Sequence, residues 1–418
     1  MSVLFYNLFL LLYKIAAWVS SLFNPKAVKW LKGRKNIFER IENSIPETAN
    51  VIWVHCASLG EFEQGRPVIE ALRLQYPAYK ILLTFFSPSG YEAMKNYEGV
   101  HWVFYLPLDG AGNARQFLKI THPSLVIFIK YEFWYYYLKK IKYRNIPLIM
   151  VSVFFRKNTA FFKWYGTLQR KMLSRFDHLF VQNESSKKLI DEIGLASICS
   201  VSGDTRFDRV LEIAEQFEPI PAIEKFIGTS PCIVAGSTWK EDEEILSRID
   251  FSETKIKLIV APHEIEEEHL DEVKKIFPGS VRLSELTAGN RQPPTCNFLI
   301  IDTIGLLSRL YKYATIAYVG GGLKSTGVHN VLEAAVYGKP VLFGPYYKKY
   351  IEAVELLQCG GGLSFTDTES LNEKIELLLQ NQNEYLKSSI ASEKYVQSKK
   401  GATQKIMQYI QEKRLLTN

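Results

Sequence analysis

Along most of the chain, short uninterrupted apolar runs alternate with stretches in which apolar residues recur every three or four positions. The runs Val51–Cys56, Lys80–Phe86, His101–Leu106, Ser124–Ile129, Leu148–Val153, His178–Val181 and Ile198–Val201 read as strands. A strand that is apolar on both faces of its pleat is covered on both sides, so these runs predict a parallel sheet wrapped by helices. Helical patterns fill the gaps, as at Pro67–Gln75 and Ser185–Ile193. Glu218-Pro-Ile-Pro221 breaks the alternation and reads as a linker. The pattern restarts at Pro231, with strands expected at Cys232–Ala235, Ile256–Ala261, Phe298–Ile301, Ile316–Val319 and Pro340–Phe343. The polar stretch 284–296, with Pro293-Pro294, predicts a loop. A long helical pattern runs from about Leu371 to Leu415. The expected architecture is α/β: two Rossmann-like lobes with parallel sheets facing a cleft, at residues 24–217 and 222–370. A helical segment, 371–418, would pack back on the first lobe.

Residues 1–23 are almost wholly apolar, with Lys14 in their middle. They approach the ~20 residues that cross a bilayer, lack the basic start of a signal peptide, and are followed by Lys26, Lys29, Lys32, Arg34, Lys35 and Arg40. This predicts a membrane-anchoring helix, spanning or lying in the interface, at the inner (cytoplasmic) membrane with the body on its cytoplasmic face. The alternative is a helix packed on the globular body. Over 418 residues, 51 basic against 44 acidic side chains give a net charge of +7, which favours acidic partners such as anionic lipid or a phosphorylated substrate. No element interleaves Lys and Arg with aromatics, so nucleic acid is not an expected partner. The five cysteines, Cys56, Cys199, Cys232, Cys296 and Cys359, form no CxxC pair and mostly sit in apolar runs. They read as reduced core residues.

Candidate chemistry collects at strand ends. Glu61 follows a strand and the turn Ala57-Ser-Leu-Gly60; it is either a first-turn acid complementing a helix dipole or a general base. Glu132 and Trp134 follow another strand. Arg206, after Ser202-Gly-Asp-Thr205, offers a guanidinium for a carboxylate or phosphate. In the second lobe, the backbone N–H groups of Ser237 and Thr238 at a helix start suit a phosphate, or the pair serves as an N-cap followed by acids. Pro262-His263 and Gly305 close two further strands. Gly320-Gly321-Gly322 leads to Asn330 and Glu333, one turn apart. That spacing is nearly a capping box, yet a carboxylate there could also hold both hydroxyls of a ribose. Glu241–Glu244 reads as a solvated charge run. No metal-ligand spacing is present, and no cofactor is expected.

These motifs occur together in one order: Ala-Ser-Leu-Gly-Glu61, Tyr-Leu-Pro-Leu-Asp109, Glu132-Phe-Trp134, Gly203-Asp-Thr-Arg-Phe-Asp208, Ala-Gly-Ser-Thr238, Ala-Pro-His263, Asp-Thr-Ile-Gly305, and Val-Gly-Gly-Gly322 through His329-Asn-Val-Leu-Glu333. In this the chain resembles the 3-deoxy-D-manno-octulosonic acid (Kdo) transferases of lipopolysaccharide synthesis, along nearly its whole length. The resemblance implies the GT-B glycosyltransferase fold. It also implies metal-independent transfer of Kdo from CMP-Kdo to the tetra-acylated lipid A precursor, with inversion, at an anionic inner-membrane surface. By motif, Glu61 matches the general base, and Glu132 and Arg206 match positions supporting the transition state. Pro262, His263, Ile304, Gly305, Leu306, Asn330, Val331, Leu332 and Glu333 match the CMP-binding segments. The chain departs from the family pattern at four positions. His263 stands where Arg is frequent, Leu306 where an acid is, Arg206 where Lys is usual, and Trp239 where His is common. Other readings of the same residues are a heptosyltransferase-like GT-B enzyme and a membrane-tethered nucleotide-sugar binder without turnover.

Overall fold

The computed structural model describes residues 3–249, 256–287 and 297–417. The chain divides into two compact units, residues 1–209 with 401–418, and residues 210–400. The division falls ahead of Glu218–Pro221, the expected linker, and the second unit runs past residue 370.

The first unit is built on a seven-stranded sheet of order β3-β2-β1-β4-β5-β6-β7. Its strands are β1 (Val51–Cys56), β2 (Lys80–Phe85), β3 (Trp102–Tyr105), β4 (Pro123–Ile129), β5 (Leu148–Val153), β6 (His178–Val181) and β7 (Cys199–Val201). Every pairing is parallel, as continuous apolar runs require. Alternate residues of β1 feed opposite sides. Val51 and Trp53 join the cluster with Phe117, Phe128 and Tyr137, whereas Ile52, Val54 and Cys56 join Phe62, Ile69 and Leu72 of the helix Leu59–Gln75. The second cluster also takes Ile406, Met407 and Ile410 of the helix Ala402–Glu412. Three buried apolar side chains at roughly 1.5–3 kcal/mol each hold that helix on the first unit.

The second unit carries β8 (Cys232–Thr238), β9 (Lys257–Pro262), β10 (Val281–Arg282), β11 (Phe298–Ile300), β12 (Ile316–Val319), β13 (Val341–Phe343) and β14 (Gly362–Ser364). Their order is β10-β11-β9-β8-β12-β13-β14, again parallel. The edge strands β10 and β14 have two and three residues, too short for a periodicity to mark them. The segment after residue 365 is three helices instead of one: Thr368–Gln380, Gln382–Ser398 and Ala402–Glu412. Asn381 ends the first in extended backbone and caps the second through the N–H groups of Asn383 and Glu384. Gly401, at φ 100°, makes the second break. Only the last helix returns to the first unit.

The helix Val3–Ser20 packs on the first unit along its length. Tyr6 and Leu10 are buried, and the Tyr13 ring meets Trp30 and Phe86 at 5.6 and 5.8 Å. Its other faces expose Leu4, Phe5, Leu8, Phe9, Leu11, Leu12, Ile15, Trp18 and Val19. Asp109 ties this helix to the sheet. Its carboxylate accepts from the Tyr6 hydroxyl at 2.6 Å and from the N–H groups of Tyr136 and Tyr137 at 2.9 and 3.1 Å. Those two groups open the helix Tyr135–Tyr143, so the acid meets a helix N-terminus.

Of the cysteines, Cys56, Cys199 and Cys232 are buried free thiols, while Cys359 is exposed; Cys296 lies outside the described residues, as do Pro293-Pro294 and most of the expected loop 284–296.

Asp109→Ala strands a buried hydroxyl and two backbone donors, and should lower the urea stability of the first unit by about 3 kcal/mol. A loss under about 1 kcal/mol, followed by tryptophan fluorescence, would show that these bonds do not anchor the N-terminal helix.

Candidate functional site

In each sheet the winding direction reverses beside the first strand. The chain moves outward from β1 through β2 to β3, then returns to place β4 on the other side of β1. It does the same from β8, returning to place β12 beside it. Ligands of open α/β sheets bind at such reversals, beyond the carboxyl ends of the strands. Glu61 and Glu132 follow β1 and β4 at the first reversal, and Ser237, Thr238, Gly321 and Gly322 follow β8 and β12 at the second, whereas Arg206 follows the edge strand β7 and Ile304–Leu306 follow β11.

In the first unit, Glu61 lies in the first turn of the helix after β1, and Glu132 in the loop after β4. The Ala57 N–H donates to Glu61 Oε2 at 2.5 Å, so the Ala-Ser-Leu-Gly turn holds the carboxylate back toward the strand end. Glu132 is buried within a polar chain that crosses the sheet. The indole N–H groups of Trp134 and Trp53 donate, respectively, to Glu132 Oε2 at 2.6 Å and to the Thr84 hydroxyl at 2.7 Å. His55 sits between the two, with Nε2 2.8 Å from Glu132 Oε2 and Nδ1 2.8 Å from the Thr84 hydroxyl. With its hydrogen on Nε2, His55 donates to the carboxylate and receives the threonine hydrogen, and every member is satisfied. His55 and Thr84 lie inside the apolar runs of β1 and β2, so no pattern in the sequence marked them.

Burial pushes the Glu61 carboxyl up to about 7, and the nearby Glu132 adds to the rise by repulsion. The Ala57 and Ser58 N–H groups and Lys130 oppose it. Lys130 holds a left-handed backbone, φ 66°, at the end of β4, a conformation that costs a side-chain-bearing residue roughly 1–2 kcal/mol. Arg206 is engaged locally: its Nε and Nη2 donate to Asp204 Oδ2 at 3.0 and 2.7 Å.

In the second unit, Ser237 and Thr238 end β8, and the next helix, Lys240–Leu246, begins after Trp239. They are therefore not its first-turn donors. Ser237 is left-handed, φ 53°, and buried Thr238 gives its hydroxyl to Glu243 at 2.9 Å. The expected solvated run is also corrected, since Asp242 and Glu243 are buried. Asp242 accepts from the Trp239 and Gly321 N–H groups, both at 2.9 Å, and from the Tyr318 hydroxyl at 2.7 Å. It thereby joins the end of β8 to the turn after β12. The glycines of that turn serve packing. Gly321 has φ 82°, and a Cβ on Gly322 would stand 2.6 Å from the Gly344 backbone.

Asn330 and Glu333 bond to each other, Asn330 Nδ2 donating to Glu333 Oε1 at 2.9 Å, while Asn330 Oδ1 accepts the Leu332 N–H at 3.3 Å. The helix they open is short, Leu332–Ala335, and Val331 and Leu332 are core residues. Pro262 is buried at the end of β9, and Ile304 and Gly305 are exposed in the turn before Leu306. His263 is exposed and stacks on a flat pair. The Trp239 N–H donates to His329 Nε2 at 3.0 Å with the rings 16° apart, and His263 lies 4.7 Å from one ring and 4.5 Å from the other. Burial and the neighbouring His263 pull His329 down to about 4. It is thus neutral, with its hydrogen on Nδ1. Among the described residues no group of three or more His, Cys, Asp or Glu side chains converges as a metal site.

Comparison with known proteins bears on this geometry. The family model of the 3-deoxy-D-manno-octulosonic-acid transferases matches residues 33–209, the stretch holding Glu61, Glu132 and Arg206. The 3-deoxy-D-manno-octulosonic acid transferase of Aquifex aeolicus is 29% identical over 346 residues, covering 81% of this chain and 88% of that protein. That of Haemophilus influenzae is 26% identical over 373 residues, covering 85% of each. Among solved structures, the UDP-GlcNAc 2-epimerase of Neisseria meningitidis superposes with a TM-score of 0.62 at 16% identity, over 87% of this chain and all of that one. The fold is GT-B.

Replacing Glu132 with Gln removes the repulsion but leaves the burial. The Glu61 midpoint, followed by carboxyl-carbon NMR, should fall below 7 while staying above the ordinary glutamate value of 4.5. A midpoint still near 7 would mean that the two carboxylates do not sense each other.

Proposed function

Since residues 33–209 match the family model of the Kdo transferases and the chain is similar to Kdo transferases over most of its length, we propose that the protein transfers Kdo from CMP-Kdo to the tetra-acylated lipid A precursor. The observation that carries this is Glu61, poised at the strand reversal with its carboxyl raised to about 7. A base works best when its pKa lies near the working pH, where it is both ionised and able to take a proton. The acceptor hydroxyl gives its proton to Glu61 as its oxygen bonds to the anomeric carbon of Kdo. The bond from that carbon to the phosphate oxygen breaks, and CMP leaves with the electron pair. Attack from the face opposite CMP inverts the centre. Glu132, clamped by His55 and Trp134, repels the negative charge on Glu61 and so keeps it basic. Arg206, oriented by Asp204, supplies positive charge to the transition state.

The donor falls to the second unit. The turns after β8, β9 and β11, with Ser237, His263 and Gly305, meet its phosphate and sugar, and Asn330 and Glu333 meet its ribose. The neutral His329 keeps a single ring donor, Nδ1–H, beside the exposed His263. No metal is assigned a part in the transfer.

The N-terminal helix supports an interfacial reading of the membrane contact. Its docked face reaches the body at Tyr6 and again at Tyr13, and apolar side chains line its free faces. While docked it lies along the first unit, so it enters the headgroup boundary edgewise. The inner membrane is the surface that presents this acceptor.

With purified protein, CMP-Kdo and the lipid acceptor, mass spectrometry of the lipid should show added Kdo. Glu61→Gln should cut the transfer rate by about 10²–10⁴-fold with CMP-Kdo affinity unchanged. Equal turnover by the variant, or release of a nucleoside diphosphate from another donor, would overturn the reading. For the wild type, kcat/KM should climb as pH rises toward 7 and level off above it, because only ionised Glu61 accepts a proton. Stability follows the opposite sign. Folding raises this pKa, so the stabilisation from the bound proton is full below about 4.5 and is lost as pH rises to about 7.

A further inference from the structure

A cavity of about 420 Å³ lies in the first unit beside the N-terminal helix; Lys14, Trp30, Arg34, Glu39, Pro107 and Asn113 are among its lining residues. We propose that it seats the phosphate of a membrane lipid, held by Arg34 and Lys14.

Arg34 is the central observation. Its guanidinium is enclosed by three aromatic rings, 4.0 Å from the centroid of Trp30, 4.9 Å from Phe86 and 4.8 Å from Tyr105. Its Nε donates to the Leu106 carbonyl at 2.9 Å, Nη1 to the Trp30 carbonyl at 3.1 Å, and Nη2 to the Phe86 carbonyl at 2.7 Å. All three acceptors are neutral, and no carboxylate pairs with it among the described residues. A half-buried guanidinium without an anion is electrostatically incomplete, and burial pulls its pKa down to about 9. A guanidinium carries five N–H hydrogens. Three are used, which leaves one on each terminal nitrogen. That pair matches two oxygens of one phosphate.

Lys14 supplies the second charge and points to the source of the phosphate. It is a lone, exposed cation midway along an apolar helix, and at the interface it can reach an anionic headgroup. On its own face, three residues before and four after it, stand Leu11 and Trp18, 56% and 62% exposed. Headgroup contacts and acyl-chain contacts are thus adjacent, as an amphipathic ligand requires. Free phosphate has no use for the apolar half. Glu39 is the carboxylate on the wall, and it is exposed. The inference rests on the interfacial reading of the N-terminal helix and goes beyond it by naming a stoichiometric site.

Flotation of the full chain on phosphatidylcholine vesicles, with and without phosphatidic acid, tests this. Binding to neutral vesicles reports the interfacial helix alone, and its absence would sink that reading separately. Preference for phosphatidic acid reports the seat. Lys26→Ala, a basic change outside the cavity lining, should lose about fivefold of that preference, the worth of one lysine at an anionic surface. Lys14→Ala and Arg34→Lys should each lose about 20-fold or more, because they break a fixed contact as well as a charge. Lys14 is exposed, so its variant keeps the test decisive should Arg34→Lys fail to fold. Losses no larger than that of Lys26→Ala would mean a diffuse basic surface and overturn the proposal. So would a thermal stabilisation by inorganic phosphate that vanishes in Lys14→Ala, which would assign the cavity to the free ion.

Discussion

Where a parallel sheet reverses its winding, the ends of two adjacent strands part, and the turns that follow have no common support. In both units of this protein a buried carboxylate bridges that gap. Glu132 joins the loop after β4 to His55 on β1, and Asp242 joins the turn after β12 to the end of β8. Burying a carboxylate costs several kcal/mol unless its oxygens are well supplied with donors. Here Asp242 has three such partners, two backbone and one phenolic, while Glu132 has the indole of Trp134 and the imidazole of His55. The cost is offset, and each crevice is fixed before any ligand arrives. Preorganisation of this kind lets fixed dipoles stabilise developing charge without rearranging at the moment of reaction.

In the first unit the brace has a second consequence. Glu132 is held in place by its partners, and its repulsion acts on Glu61 as that carboxyl ionises. Neither burial nor repulsion acts alone on Glu61: the Ala57 and Ser58 N–H groups and Lys130 pull the other way. The balance leaves a carboxyl near neutrality instead of one locked as an acid. Placing two carboxyl groups in unlike environments is a recurring way to divide roles between them. The strained backbone of Lys130 belongs to the same arrangement, since it sets a positive charge near the strand end where Glu61 needs it.

The fold was largely legible because burial on two faces leaves a one-dimensional trace. Val51–Cys56, Leu148–Val153, His178–Val181 and Ile316–Val319 have the bounds their apolar runs predict. What escaped depends on partners distant in the chain. His55 and Glu132 are 77 residues apart, and Asp242 and Gly321 are 79 apart. Asp242 and Glu243 look solvated beside Glu241 and Glu244, because local sequence carries no sign of the Tyr318 hydroxyl or the Thr238 hydroxyl that meet them. The Gly320–Gly322 run reads as a ligand cradle, yet close backbone packing against Ser237 and Gly344 already demands it. The single long C-terminal helix fails at Asn381 and Gly401, residues whose capping and left-handed preferences outweigh the amphipathic pattern around them.

The wall between the N-terminal helix and Glu132 is continuous. Arg34 Nη2 holds the Phe86 carbonyl, the Phe86 ring packs 4.6 Å from Trp134, and Trp134 donates to Glu132. Aromatic rings packed between hydrogen-bonded ends have little freedom to shift, because any rotation opens a void or breaks a buried bond. The distance from the Arg34 cavity to the carboxylates is therefore set by the fold. With the phosphate seat proposed above, this wall fixes the spacing between a lipid headgroup and the two carboxylates. Such a seat adds a positional contact to hydrophobic attachment, which is common to every lipid of the bilayer and so cannot choose among them.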